Sequence, residues 1–94
     1  MTWRVVLAST AQRDLNRLAP RVVPGIAVSK IVAFCGGLLA ENPHRVGKPL
    51  VGELVGLHGA RRGDYRILYR IIDADHSVLV VRIAHRATAY RSNG

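Results

Sequence analysis

"RRGDYRILYR", residues 61–70, decides the fold, because a turn signal runs straight into an alternating segment. Gly63-Asp64 is turn chemistry, and Tyr65, Ile67, Tyr69 and Ile71 alternate with Arg66, Leu68, Arg70 and Ile72. A strand over 65–72 therefore shows one aromatic and aliphatic face and one face carrying arginines. Residues 77–83 repeat the pattern: Leu79, Val81 and Ile83 alternate with Val78, Val80 and Arg82. The face that Arg66 shares with its neighbour depends on the loop between them. An odd loop, Asp73-Ala74-Asp75, sets Arg66 and Arg82 on one face, whereas a two- or four-residue loop sets Arg66 beside Ile83. Charge economy favours the odd loop, with helices on the apolar face and arginines on the open one.

A third strand-like run, 54–58, precedes a turn over 59–64 and completes a three-stranded meander. Upstream, "TWRVVL" (2–7) is β-branched and aromatic and reads as a first strand. In "STAQRDLNRL" (9–18), Ser9 or Thr10 is the expected helix N-cap, and Ala11, Leu15 and Leu18 recur at helical spacing while Arg13 and Arg17 share another face. A second helix is expected over 21–40, with Pro24 near its start and Ile31, Phe34, Cys35 and Leu38 inward. Gly36-Gly37 weakens that helix and predicts a bend or close packing. The segment 41–54 is read as loop, broken by Asn42-Pro43, Gly47, Pro49 and Gly52. The expected fold is a small single α+β domain over 1–94, β-α-α-β-β-β, a mostly antiparallel sheet with two N-terminal helices on one face.

Composition narrows the chemistry. The 94 residues carry 14 Lys+Arg against 6 Asp+Glu, a net charge of +8, and are 49% hydrophobic. That describes a folded binder of polyanions or of an acidic partner. Arginine dominates the basic residues, and its planar guanidinium suits bidentate phosphate contact. Cys35 has no cysteine to pair with and sits in an apolar run as a small hydrophobe. The most hydrophobic window, 31–40, is too short to cross a membrane, so a cytoplasmic protein without membrane association is expected.

His44, His58, His76 and His85 lack metal-ligand spacing, and no phosphate-binding glycine motif is present. Neither a metal nor a cofactor is expected. The remaining Arg, Lys, Tyr and His suit metal-free RNA cleavage, in which the substrate's 2′-hydroxyl attacks the adjacent phosphate. Such a reaction needs a base, a stabiliser of charge on phosphorus, and an acid for the departing 5′-oxygen. Arg66 and Arg86 suit charge stabilisation, His85 or Lys48 suits proton transfer, and Tyr90 can stack on a base or donate a proton. Arg45, Lys48, Arg61, Arg62 and Arg82 are the candidate phosphate contacts. Each has a plainer reading beside it: Arg61 and Arg62 as a solvated turn, Tyr65 and Tyr69 as core, the histidines as surface residues.

The runs "NPHRVGKPL" (42–50), "GELVGLHGARRGDYRILYRI" (52–71) and "HRATAY" (85–90), behind a first strand and "TAQRDLNRL" (10–18), resemble the RelE/ParE superfamily of bacterial toxins, nearest its RelE branch. The resemblance spans almost the whole chain. It implies a toxin of a type II toxin–antitoxin system that cuts messenger RNA in the ribosomal A site without a metal and is held inactive by an acidic, RelB-like antitoxin. It also implies catalytic roles for Arg66, Arg86 and Tyr90. Members of the branch carry a lysine pair before the Tyr-Arg motif; here that segment is Leu57-His58-Gly59-Ala60-Arg61-Arg62. Arg61 or Arg62 then takes over phosphate contact, and His58, His85 or Lys48 takes over proton transfer. ParE-like members of the superfamily poison DNA gyrase instead, and an inactive RNA-binding relative is a third expectation.

Overall fold

The computed structural model of the protein describes residues 2–18 and 26–85, with the side chains of 18 and 26–29 excepted. Strand β1 (Arg4–Leu7) leads into helix α1 (Ser9–Leu18), then α2 (Ile26–Phe34) and a short α3 (Pro43–Val46). Four strands follow: β2 (Lys48–Pro49), β3 (His58–Arg62), β4 (Tyr65–Ile72) and β5 (Ser77–His85). They form one sheet in the order β1-β5-β4-β3-β2, antiparallel throughout except for the β1–β5 pair. The helices pack on one face. The expected α+β architecture holds, with the two-residue β2 added at one edge, where Pro49 and the shortness of the strand blunt further pairing.

The β4 strand forms where the alternation predicts it, but its partner does not. The run 54–58 is largely a 3-10 turn (Gly52–Leu54) and loop, and the strand occupies His58–Arg62 instead. The turn shrinks to Gly63-Asp64, with Gly63 at φ 61°, the positive angle that a two-residue hairpin of the II′ kind asks of its first position. Leu54 and Val55, which make the earlier run look strand-like, are exposed. The hairpin wins because it buries Ala60 opposite Ile67.

Ala11, Leu15, Ile31, Phe34, Leu39, Ala60, Ile67, Tyr69, Val78, Val80 and Ile83 form the core between helices and sheet. Each large apolar side chain removed from water there contributes roughly 1.5–3 kcal/mol. Leu38, expected inside, is exposed, and Leu39 is fully buried in its place. From Cys35 to Leu39 the helix widens into a π-turn, so inward positions run from Phe34 to Leu39, five apart rather than four. Gly36 and Gly37 lie in this turn with open space where a Cβ would stand, so they mark the widening and not close helix packing.

The N-cap reading of Ser9 or Thr10 is also corrected. The Ala8 carbonyl accepts the first helical bond, from the Gln12 amide, and the Thr10 hydroxyl donates instead to the Val81 carbonyl at 2.6 Å. Tyr69, fully buried, donates its phenol to the Pro43 carbonyl at 2.6 Å and thereby anchors α3 to the sheet. Burial pushes that phenol up to about 12, a shift that the backbone contact with Gly47 partly opposes.

Candidate nucleic-acid interface

The parity question is settled by a bulge. The loop between β4 and β5 spans four residues, 73–76, which starts the pairing with Ile72 opposite Ser77 and Tyr69 opposite Val80. Continued unbroken, that register would set Arg66 beside Ile83. Between Tyr69 and Leu68 the register shifts, Val81 is left unpaired, and Arg66 meets Ala84 while Leu68 meets Arg82. The bulge thus returns Arg66 and Arg82 to one face and keeps Val78, Val80 and Ile83 on the other. The expectation of a shared face holds, by a different route from the odd loop.

Side chains of α1 hold the bulge in place. Beyond Val80, where β1 stops pairing, the outer edge of β5 is covered by α1. Thr10 takes the Val81 carbonyl, and Asp14 Oδ2 accepts from the Ile83 amide at 2.9 Å. Asp14 also binds Arg82, with Oδ2 to Nε at 2.7 Å and Oδ1 to Nη2 at 3.3 Å. These bonds and the charge of Asp14 raise the Arg82 pKa further above its usual value. Asp14 sits on the Ala11–Leu15 stripe of α1 and is about nine-tenths buried. An acid at i+3 from Ala11 on an apolar stripe was the signal available for it in the sequence.

Strand pairing assigns the remaining candidates to faces. Lys48 pairs with Gly59, Gly59 with Leu68 and Leu68 with Arg82, while Arg61 pairs with Arg66 and Arg66 with Ala84. Lys48, Arg61, Arg66 and Arg82 therefore share the open face, and Arg70, opposite Leu79, extends it. Gly59 is the floor. Its ideal Cβ would lie 3.4 Å from Arg66 Nε, 3.5 Å from Nη2 and 3.3 Å from Leu50 Cδ2, so the guanidinium lies across the bare backbone of β3. Sequence reasoning missed Gly59; a glycine close before a candidate site arginine was the available sign.

Arg62, His58 and His85 lie on the helix-bearing parity instead. Arg62 stands over the Phe34 ring, 5.9 Å from its centroid, in a cation–π contact that removes it from the Arg66 strip. His85, opposite Tyr65, meets that ring edge-on at 5.4 Å. His58 stacks on Tyr69 at 5.6 Å and faces His44 at 6.2 Å, which in turn lies 3.0 Å from Asp73. Burial lowers the His58 pKa, the neighbouring His44 lowers it further, and Asp73 opposes both. Arg45 is exposed on α3. Arg86 and Tyr90 lie outside the described residues.

Among the described residues no group of His, Cys, Asp and Glu is placed to hold a metal ion, and no helix is long and apolar enough to cross a membrane. Cys35 lines an apolar cavity of about 360 Å³ between β1 and α2, where burial pushes its thiol up to about 11. A thiol so shifted is a poor nucleophile.

The open face thus joins positive charge from four strands over a glycine floor, and the comparisons with known proteins agree with the sequence motifs that carry it. Residues 5–90 match the family described as the ParE toxin of the type II toxin–antitoxin system parDE. Toxin RelE of Mycobacterium tuberculosis is 46% identical over 91 residues, covering 97% of this chain and 89% of that protein. Toxin RelG of the same organism is 46% identical over 91 residues, covering 97% of this chain and 99% of its own. The crystal structure of the toxin–antitoxin complex RelBE2 from M. tuberculosis contains a chain that superposes with a TM-score of 0.81 at 44% identity, over 92% of this chain and all of that one. With a family match across nearly the whole length and relatives at this identity, the chain belongs to the RelE/ParE superfamily and is a toxin of a type II toxin–antitoxin system.

Proposed function

We propose that this toxin is a metal-free endoribonuclease that cuts messenger RNA on the ribosome and so stops translation. The observation that carries the reading is the placement of the Arg66 guanidinium across Gly59, on one face with Lys48, Arg61 and Arg82. A strip of fixed cations fits a backbone phosphate and stabilises the charge that grows on phosphorus when the neighbouring 2′-hydroxyl attacks. Arg66 is assigned to the scissile phosphate, with Lys48 and Arg61 holding the phosphates beside it.

Arg86 and Tyr90 take their roles from the family resemblance: a second charge stabiliser and the proton donor to the departing 5′-oxygen. His85 ends β5 next to Arg86 and is the imidazole assigned to proton transfer. Its side chain belongs to the Tyr65 parity, so it meets the scissile group around the end of the strand and not across the sheet. The assigned partners are an acidic RelB-like antitoxin, an assignment supported by the toxin–antitoxin complex RelBE2 of M. tuberculosis, together with the ribosome and its message, and a cytoplasmic location goes with that reading.

Primer extension on a translated message tests this. Cuts in the ribosomal A site are expected with the unmutated toxin and should fall about 10²- to 10³-fold in Arg66→Gln, the scale for loss of one donor to a developing oxyanion. An intact message with the unmutated protein refutes the proposal. The family match under the ParE name supports one other reading, inhibition of DNA gyrase; it predicts double-strand DNA breaks in cells whose messages stay whole.

A further inference from the structure

Arg13 and Arg17 lie four residues apart on α1, exposed and on one side of the helix. Like charges at that spacing weaken a helix, and the two ion pairs found among the described residues include neither of them. Between this side of α1 and β5 opens a cavity of about 170 Å³ lined by Thr10, Arg13, Asp14, Arg17 and Arg82.

The hydrogen bonds of the lining decide what the cavity accepts. The Thr10 hydroxyl donates to the Val81 carbonyl. Both Asp14 oxygens are engaged, by Arg82 and by the Ile83 amide. The lining thus holds three arginines against one carboxylate, and the N–H groups left over are donors of the planar, forked kind that matches a tetrahedral oxyanion. Arg82 connects this cavity to the open face, because strand pairing sets it on the parity of Arg66.

We propose that the cavity is a phosphate subsite, in which Arg13, Arg17 and Arg82 hold a backbone phosphate of single-stranded RNA and Asp14 positions Arg82. The proposal rests on the ribonuclease reading for its ligand and lengthens the path of the RNA: the strand crosses the sheet past Lys48 and Arg66 and turns over the β5 edge onto α1. A continuous polyanion matches a positive track running from sheet to helix, whereas an acidic peptide side chain would need only one end of it. Asp14 keeps the Arg82 fork pinned before the RNA arrives, so less side-chain freedom is lost on binding.

The probe is a 2′-O-methyl oligonucleotide, which has no free 2′-hydroxyl for cleavage, with its affinity followed by fluorescence anisotropy across a salt series. Arg13→Gln/Arg17→Gln removes exposed charge from a helix with good helix formers, and its thermal unfolding should match that of the unmutated protein. The double variant should bind more weakly whatever the base sequence, and its log K against log salt should flatten by about 0.7 for each phosphate that is no longer held. Unchanged affinity and slope overturn the subsite regardless of how Arg66→Gln behaves. So does a double variant that keeps its RNA slope and loses affinity only for an acidic antitoxin peptide. If the slope depends on Arg13 and Arg17 while translated messages stay whole, the subsite stands and the ribonuclease reading falls.

Discussion

Replacing Asp14 by alanine tests whether α1 holds the β5 bulge, and the size of the effect follows from the bonds it removes. The Ile83 amide is left buried without its acceptor at 2.9 Å, which costs about 1–3 kcal/mol. Arg82 loses bonds at 2.7 and 3.3 Å, but its side chain is 53% exposed, so water takes back the charge and that half adds only about 0–1 kcal/mol. The sum is about 1–4 kcal/mol. In a domain of this size, that lowers the melting temperature by roughly 4–30 °C.

Asp14→Asn separates the two contributions. The amide oxygen still accepts from Ile83 and only the charge is lost, so the cost should fall to about 1 kcal/mol. Thermal and urea unfolding of both variants, with a double-mutant cycle through Arg82→Gln, supply the measurement; coupling of about 0.5–3 kcal/mol is the range for contacting residues. Equal destabilisation by Ala and Asn, or a melting shift below about 3 °C for Ala, refutes the assignment of Asp14 as the acceptor that fixes the bulge. The consequence reaches the site. With the bulge loosened, the outer half of β5 is free to slip by one residue, and such a slip carries Arg82 to the face opposite Arg66.

Three further perturbations test other parts of the structure. Gly47→Ala should destabilise by about 1–3 kcal/mol in urea unfolding, because the added methyl meets the Tyr69 hydroxyl at 2.5 Å and the Gly59 carbonyl oxygen at 2.8 Å; a change under about 0.5 kcal/mol contradicts that close approach. Gly59→Val should leave stability nearly unaltered, since the atoms it meets are the flexible ends of the Leu50 and Arg66 side chains, yet lower message cleavage about 10²-fold by moving the guanidinium off its floor; full activity would mean the resting place of Arg66 is irrelevant to catalysis. His58 has a folded pKa below that of the unfolded chain, so the unfolded state takes up more protons and stability should decline as the pH falls below about 6.5, levelling off once the folded value is passed. His58→Leu should abolish that part of the slope, and a slope unchanged in this variant would assign it to another group.

Local rules read the local elements well. Alternation over 65–72 identifies the strand and its inward face because side chains of period two must divide between core and solvent, and Ile67 and Tyr69 are both fully buried. Helical spacing likewise places Ala11, Leu15, Ile31 and Phe34. What the sequence concealed depends on contacts between distant segments. Nothing local distinguishes a strand over 54–58 from one over 58–62, since the choice depends on which run can bury Ala60 against Ile67. The Leu38 error has a similar origin: the widened turn at Cys35–Leu39 shifts the inward position by one, and periodicity assumes the turn away.

The arginine face shows how a sound conclusion can rest on a wrong intermediate. The loop of β4–β5 is even, and by itself it would have sent Arg66 to sit beside Ile83. The extra residue at Val81 reverses this, and its stability comes from Thr10 and Asp14, some seventy positions away in the chain. Asp14 is thus both a fold determinant and the group that sets the Arg82 fork. The same dependence explains why Arg62 left the site while Arg61 stayed: adjacent residues of a strand must part, and Arg61 is the one paired with Arg66. The make-up of the arginine face is therefore set by register, and register there is held by helix α1, so a substitution on α1 can alter that face without touching any residue on it.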